Sequence, residues 1–359
     1  MNSIPGTPSS PPATTVVNTT RVLSAEEIAM QAGRQMPFVH MPVGASVFAD
    51  RQLRLRQLAA SHPMRDYLLF VADLASAQQQ VLATYPDVAL PDTEACTAAA
   101  RVLKPPVPAF GWPRDPAWRT ELRRLLGLFR ARIAAGPARD TVDRLVDAPD
   151  EWIDAQAEKL LRRITLGHDL ATAPLFAAGL QVYWTQLAIK THAAHGARVF
   201  GHTDPATQCP CCGSLPTASI TRIGSEDAGF RYLHCSLCNV QWHYVRIKCT
   251  HCESTKGIHY QALEPASPDA AAASPTGARP GAIRAECCDT CGHYLKQVLM
   301  EKDPEVEPLA DDLASVALDL LVSEAGFERS GHNLMLLFGD PDPLPDVPDA
   351  PPLPSGGGG

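Results

Sequence analysis

The chain has 359 residues, with 31 Lys and Arg against 39 Asp and Glu, a formal net charge of -8, and is long enough for two domains with separate hydrophobic cores. That acidity argues against a protein whose main task is to coat a phosphate backbone or an anionic membrane. No positive charge precedes Arg21 and no apolar run follows it in the pattern of a secretory signal, which predicts a cytoplasmic chain.

Residues 1–20, rich in Ser, Pro, Thr and Asn, and residues 339–359, with Asp-Pro repeats and four terminal glycines, bury too little apolar surface to offset their ordering entropy, and are predicted to be disordered tails. Residues 21–200 read as an all-α helical domain. It opens with a capping-box signal, Ser24-Ala25-Glu26-Glu27, and is interrupted at the proline-containing stretches 35–43, 105–116 and 136–149. The predicted helices are Phe48 to Ala59, His62 to Tyr85, Pro116 to Ala135, Asp150 to Leu166 and Ala173 to Ala194. In the second, Leu68, Val71, Leu74, Gln78 and Val81 recur at helical steps and make a packing face. Arginines and leucines alternate from Glu121 to Arg132, which reads as a solvated arginine face. Leu175 to Ile189 is the most apolar stretch. Gln181 and Gln186 interrupt it, and it is too short to span a bilayer, so it reads as a buried helix and no membrane insertion is expected. Cys96, in an Ala-rich helical context, reads as a small buried hydrophobe.

After Gly201 the pattern changes to short strands and turns, and residues 201–300 are read as a separate module. Arg231 to His234 leads into one cysteine pair, and Val240 to Lys248 reads as a strand leading out of it. Ala270 to Gly277 is a low-complexity insert, predicted to be a mobile loop. The segment 301–338 resumes helical periodicity over Leu309 to Ala325, with Leu313, Val316, Leu320 and Leu321 on one side, and can return to cap the helical domain.

Ten of the eleven cysteines lie between Cys209 and Cys291, which in a reducing compartment points to metal rather than disulfides. Eight form four Cys-x-x-Cys pairs: Cys209/Cys212, Cys235/Cys238, Cys249/Cys252 and Cys288/Cys291. A tight turn aims both sulfurs of such a pair at one ion, so each pair is half of a tetrahedral site. Gly213, Asn239 and Gly292 follow three of the pairs and tolerate the positive φ that closes such a turn; Glu253 is the exception. The simplest grouping joins Cys209, Cys212, Cys235 and Cys238 in one centre and Cys249, Cys252, Cys288 and Cys291 in another. Each would sit on a zinc-ribbon or rubredoxin-like hairpin, the two hairpins in tandem. Interleaved pairing is the alternative that the short linker between Cys238 and Cys249 allows. A four-sulfur tetrahedron suits iron and zinc alike, so two metal ions, iron or zinc, are expected. A thioredoxin-like dithiol would want a β-α-β setting that is not legible here. Cys211 and Cys287 read as spare thiols, and His202, His234, His243, His251, His259 and His293 as surface or supporting residues. The chain carries no phosphate loop, no nucleophile elbow and no His-Glu-x-x-His helix. A complete four-sulfur set leaves no open coordination position, so no catalysis is expected.

Four linked motifs then resemble a known family. They are Cys-Pro-Cys-Cys-Gly-Ser-Leu-Pro at 209–216, Arg-Tyr-Leu-His-Cys-Ser-Leu-Cys at 231–238, Trp-His-Tyr-Val-Arg-Ile-Lys-Cys-Thr-His-Cys at 242–252 and Glu-Cys-Cys-Asp-Thr-Cys-Gly-His-Tyr-Leu-Lys at 286–296. Together they resemble the formate dehydrogenase accessory (FdhE) proteins. The resemblance continues through Glu301 to Pro304 and Ala310 to Ala314, and reaches back to Phe48, Arg51, Arg54, His62, Pro63 and Tyr67. It covers roughly residues 21–338, with the tails and the 265–283 insert departing from it. It implies a cytoplasmic accessory factor that binds the catalytic subunit of a molybdenum- or tungsten-dependent formate dehydrogenase and supports its maturation before export. It also implies that the eight paired cysteines bind metal as in rubredoxin. The ribbons would then be docking surfaces with exposed Trp242 and Tyr244, or carriers of a redox-active iron. The alternatives are a rubredoxin-type electron-transfer protein and a nucleic-acid-binding zinc-ribbon protein. Residues 209–302 hold nine Lys and Arg against eight Asp and Glu, which leaves little basic excess for phosphate contact and disfavours nucleic acid as a partner.

Overall fold

A computed structural model describes residues 36–164, 167, 169–196, 198–224, 227–263 and 277–336. Both predicted tails, the signal at Ser24 and nearly all of the Ala270 to Gly277 insert lie outside these residues. The described residues form an α+β structure, a layer of helices followed by a mixed sheet and two further helices.

The helical layer comprises α1 (Val47–Leu58), α2 (Arg65–Ala83), α3 (Thr93–Arg101), α4 (Ala117–Arg130), α5 (Pro137–Val146), α6 (Asp150–Arg162) and α7 (Ala173–His195). Leu68, Val71, Leu74, Gln78 and Val81 of α2 are all buried, and α2 packs against α1, α4 and α7. Helix α7 is apolar all round, with Leu175, Phe176, Leu180, Tyr183, Trp184 and Leu187 buried, as expected of a central helix. Gly179 lets α4 come close: a Cβ there would sit 2.7 Å from Leu122 Cδ1. No helix among the described residues is long and apolar enough to cross a membrane.

One helix occupies an expected break, and another gives bounds to the Ala-rich helical context of Cys96. Helix α5 falls inside the expected break 136–149, because Pro137 at its first turn gives up an N-H that has no helical partner there anyway. Helix α3 is capped by Asp92, whose side chain accepts from Ala95 N at 2.7 Å. The arginine face of α4 is not simply solvated. Arg119 pairs with Asp150 and Asp154, Arg123 with Asp150, and Arg130 with Asp143, so the face holds α5 and α6 in place.

The sheet contains β1 (Val39–His40), β2 (Pro216–Thr221), β3 (Arg231–Cys235), β4 (Gln241–His243), β5 (Ile258–Gln261), β6 (Ile283–Cys288), β7 (His293–Leu299) and β8 (Glu328–Arg329). Its order is β1-β4-β3-β2-β7-β6-β5, with β8 also on β7. The antiparallel sets β4-β3-β2 and β7-β6-β5 are two ribbons, fused by parallel pairing of β2 with β7 at Ser219↔Gln297 to Thr221↔Leu299. Strand β4 stops at His243 rather than running to Lys248. Trp242 and Tyr244, expected to be exposed, are 1% and 4% exposed. Trp242 Nε1 donates to Ala206 O at 3.0 Å and Tyr244 Oη to Cys249 O at 2.8 Å, so both rings are structural. Val245 and Ile247 are the exposed apolar residues of that segment.

The predicted helix Leu309 to Ala325 is two helices, α8 (Pro308–Ala314) and α9 (Val316–Glu324). The break is Ser315, whose φ is -112° and whose hydroxyl donates back to Asp311 O at 2.8 Å. Helix α8 returns to α1, where Arg54 reaches Asp303 at 2.8 Å and Asp311 at 2.6 Å. The fully buried Lys296 of β7 pairs with Asp312 and Asp319, at 3.0 and 2.6 Å. These buried charges are paired, as low-dielectric surroundings require.

Candidate metal centres

In each ribbon one cysteine turn leads into a hairpin and a second leads out of it, so the two lie together at the hairpin's open end. The first two turns are Cys209 to Gly213, just before β2, and Cys235 to Asn239, between β3 and β4; the others are Cys249 to Glu253, before β5, and Cys288 to Gly292, between β6 and β7. The turns share one design. Gly213 N donates to Cys209 O, Glu253 N to Cys249 O and Gly292 N to Cys288 O, at 2.8 to 3.2 Å. The closing residues Gly213, Asn239, Glu253 and Gly292 have φ of 76°, 60°, 59° and 68°. Glu253 therefore adopts the positive φ that its identity argued against, and this is a correction. The turn closure demands it, at a strain of order 1 kcal/mol. The repeat is visible even in detail, since Cys209 N donates to Ser214 O and Cys249 N to Ser254 O.

The structure brings Cys209, Cys212, Cys235 and Cys238 together in one cluster and Cys249, Cys252, Cys288 and Cys291 in a second, the Sγ atoms of each lying within 4.8 Å of one another. The grouping follows chain order and is not interleaved. Cys209 to Cys238 and Cys212 to Cys235 measure 3.5 Å, Cys249 to Cys291 3.7 Å, and Cys252 to Cys288 3.8 Å. These are far from a disulfide bond, about 2.0 Å. They approach the edge of about 3.8 Å that a tetrahedron with metal–sulfur bonds of about 2.3 Å would have. The donor sets therefore fit a four-coordinate thiophilic ion. Backbone N-H groups face the sulfurs as well, with Leu237 N and Cys238 N 3.4 Å from Cys235 Sγ, and His251 N 3.3 Å from Cys249 Sγ.

Protonation of the first cluster points the same way. Burial pushes the Cys209 and Cys238 thiols well up. Burial also opposes charge on Cys212, but hydrogen bonds from Cys209, Cys235 and Cys238 outweigh it and hold that thiol well below its ordinary value. Burial thus opposes the thiolate form in this cluster, and a bound cation would offset that cost.

Cys211 and Cys287 are buried and lie outside both clusters, and burial pushes each thiol up to about 11, so they stay protonated at neutral pH. Cys96 is likewise buried. Among the described residues no histidine joins either cluster. His251 and His293 stack at 3.6 Å beside the second, and His234 is buried behind the first.

The residues of the helical layer that hold the first cluster were not read from the sequence as doing so. Val107 N donates to Cys211 O at 3.2 Å, Ala109 N to Cys212 O at 2.8 Å, and Gln181 Nε2 to Ser236 O at 2.8 Å. Arg51 and Thr185 bind opposite ends of the Asn239 amide. The Gln181 that interrupts an apolar helix was a visible hint, since a polar residue in such a place needs a buried partner, and Arg51 was named through the resemblance. A cavity of about 510 Å³ between α1, residues 40–43 and the sheet floor at Ile220, His234 and Gln241 has no cysteine in its lining, so it is separate from the clusters.

The fold and the site define a class: α+β proteins in which a helical layer covers two fused cysteine-turn ribbons, each with a four-sulfur cluster that could hold a metal ion. Family models described as FdhE N-terminal, FdhE central domain and FdhE C-terminal domain match residues 36–199, 208–246 and 247–336. A protein FdhE homolog of Cronobacter sakazakii is 38% identical over 85% of this chain and 93% of its own length. The protein FdhE of Salmonella dublin is 35% identical over 89% of this chain and 98% of its own length. The crystal structure of the FdhE protein from Pseudomonas aeruginosa matches 85% of this chain and 100% of its own at 35% identity, with a TM-score of 0.68. The chain belongs to the FdhE family.

Proposed function

We propose that this chain is a cytoplasmic accessory protein in the assembly of formate dehydrogenase, that it binds the catalytic subunit of that enzyme, and that it catalyses no reaction itself. Membership of the FdhE family supports the link to formate dehydrogenase. The observation that carries the reading is the pair of four-sulfur clusters built into one continuous sheet. In this reading Cys209, Cys212, Cys235 and Cys238 hold one ion and Cys249, Cys252, Cys288 and Cys291 another, each iron or zinc. The bound ions supply fold stability and, if iron, a one-electron couple. The chain's own part is to fix the four sulfurs, direct backbone N-H groups at them, and keep the helical layer on the first ribbon. Exposed Val245 and Ile247, between the two clusters in sequence, provide apolar surface for a protein partner.

The test is an anaerobic affinity capture from formate-oxidising cells, with the full chain and with a variant carrying Cys209→Ser and Cys212→Ser. Recovery of the formate dehydrogenase catalytic subunit by the native chain supports the reading, and its loss in the variant ties recognition to the metal module. Capture of nucleic acid or of an unrelated redox enzyme in its place would overturn it.

A further inference from the structure

The two clusters have the same donors and nearly the same turns, yet they differ in what covers them. Cys209, Cys212, Cys235 and Cys238 are each at most 1% exposed. In the second cluster Cys252 is exposed and Cys291 half-buried.

The cause lies in the helical layer. The loop between α3 and α4 donates from Val107 and Ala109 onto the first cysteine turn, and Trp184 Nε1 fixes that loop through Val107 O at 3.1 Å. Helix α7 holds the second turn through Gln181 and Thr185, and α1 holds it through Arg51. Among the described residues, no such cover reaches the second cluster. Its turns meet the ribbon itself, Tyr244 after β4, whose Oη donates to Cys249 O at 2.8 Å, and residues 328–330, through Glu328 N to Gly292 O at 2.8 Å and Thr250 Oγ1 to Ser330 Oγ at 3.1 Å. A ligand from outside can approach Cys252 without moving a helix, whereas reaching any sulfur of the first cluster requires the helical cover to open.

We propose that the two centres divide their roles: Cys209, Cys212, Cys235 and Cys238 form a sealed structural site, and Cys249, Cys252, Cys288 and Cys291 form the site that exchanges its metal with ligands outside the protein. The inference rests on both clusters being loaded. Exchange proceeds by stepwise displacement at Cys252 and then its neighbours. An incoming nitrogen, oxygen or thiolate donor takes the place of one cysteine sulfur at a time, and each released thiolate takes up a proton from solvent. The metal keeps its charge throughout.

The experiment uses the full chain loaded with zinc, its content measured before any challenge. Zinc release to the chromophoric chelator 4-(2-pyridylazo)resorcinol is followed in time, and samples are alkylated with iodoacetamide and mapped by mass spectrometry. The expected result is two phases of one equivalent each, the faster by at least about tenfold because the cover must open first for the slower. Alkylation in the fast phase falls on Cys249, Cys252, Cys288 and Cys291. Release of both equivalents in one phase, or early alkylation of the first cluster, overturns the proposal. Binding of fewer than two equivalents overturns the two-centre reading and this proposal with it, and is seen before chelator is added.

Discussion

Arg51 Nη2 lies 2.7 Å from Asn239 Oδ1, so the first helix of the helical layer is bonded directly to the residue that closes a cysteine turn 188 positions away. The same guanidinium donates to Glu307 Oε1 at 3.1 and 3.0 Å, and Glu307 Oε2 caps α8 by accepting from Ala310 N at 2.7 Å. One side chain, 1% exposed, thus joins α1, the first ribbon and α8. Replacing Arg51 with Met leaves the Glu307 carboxylate nearly buried and unpaired. The expected loss is about 3 to 5 kcal/mol, read as a lower urea midpoint, with part of it recovered when Glu307→Gln is added. A midpoint within error of the native value would show that the bridge contributes nothing.

Acid stability follows from buried imidazoles. Burial, followed by the charges of Arg163 and Arg329, pushes His332 down to about 3, and burial pushes His234 down to about 4. Both folded values lie below the unfolded value of about 6.5. Their contribution to stability is therefore complete above pH 6.5 and is lost as pH falls from there toward the folded values. Each imidazole should add a slope of up to about 1.4 kcal/mol per pH unit. The His332→Gln variant should lose its share of that slope between pH 6.5 and 5, in urea midpoints measured on both proteins. Equal slopes would mean that His332 takes up no proton on unfolding.

Gly331 sits where the chain crosses the base of the sheet. A Cβ there would lie 2.3 Å from Pro216 O and 2.6 Å from Leu295 Cδ1. The first contact is with backbone and cannot relax by a rotamer change, so Gly331→Ala should destabilise by about 1 to 3 kcal/mol. A thermal unfolding midpoint unchanged by the substitution would contradict the close approach.

Cys211 and Cys287 stand beside cluster residues in the chain but outside both clusters in space. Alanine at either position should leave two metal equivalents bound and cost about 1 kcal/mol for the small void. Elemental analysis of the two variants checks it, and loss of an equivalent in either would make that thiol part of a centre.

Much of this was legible in the sequence because it is local. Helical periodicity marked α2 and a long apolar run marked α7, where each residue's hydrogen bonds close within one turn, and Cys-x-x-Cys spacing marked the four turns for the same reason. Local signals also misled. Pro137 reads as a breaker yet starts α5, and the alternation from Val240 to Lys248 reads as a long strand although only three residues pair.

The sequence alone determined that eight cysteines lie in four tight turns behind a helical layer, because turn closure and helical stripes depend on neighbours a few positions apart. Only the tertiary structure decided which turns meet, how β2 pairs with β7 to fuse the ribbons, and that Arg51, Val107, Ala109 and Gln181 cover one cluster and leave the other open. Those outcomes depend on contacts between residues far apart in the chain, where loop closure and the burial of paired polar groups select one arrangement among several with the same local pattern.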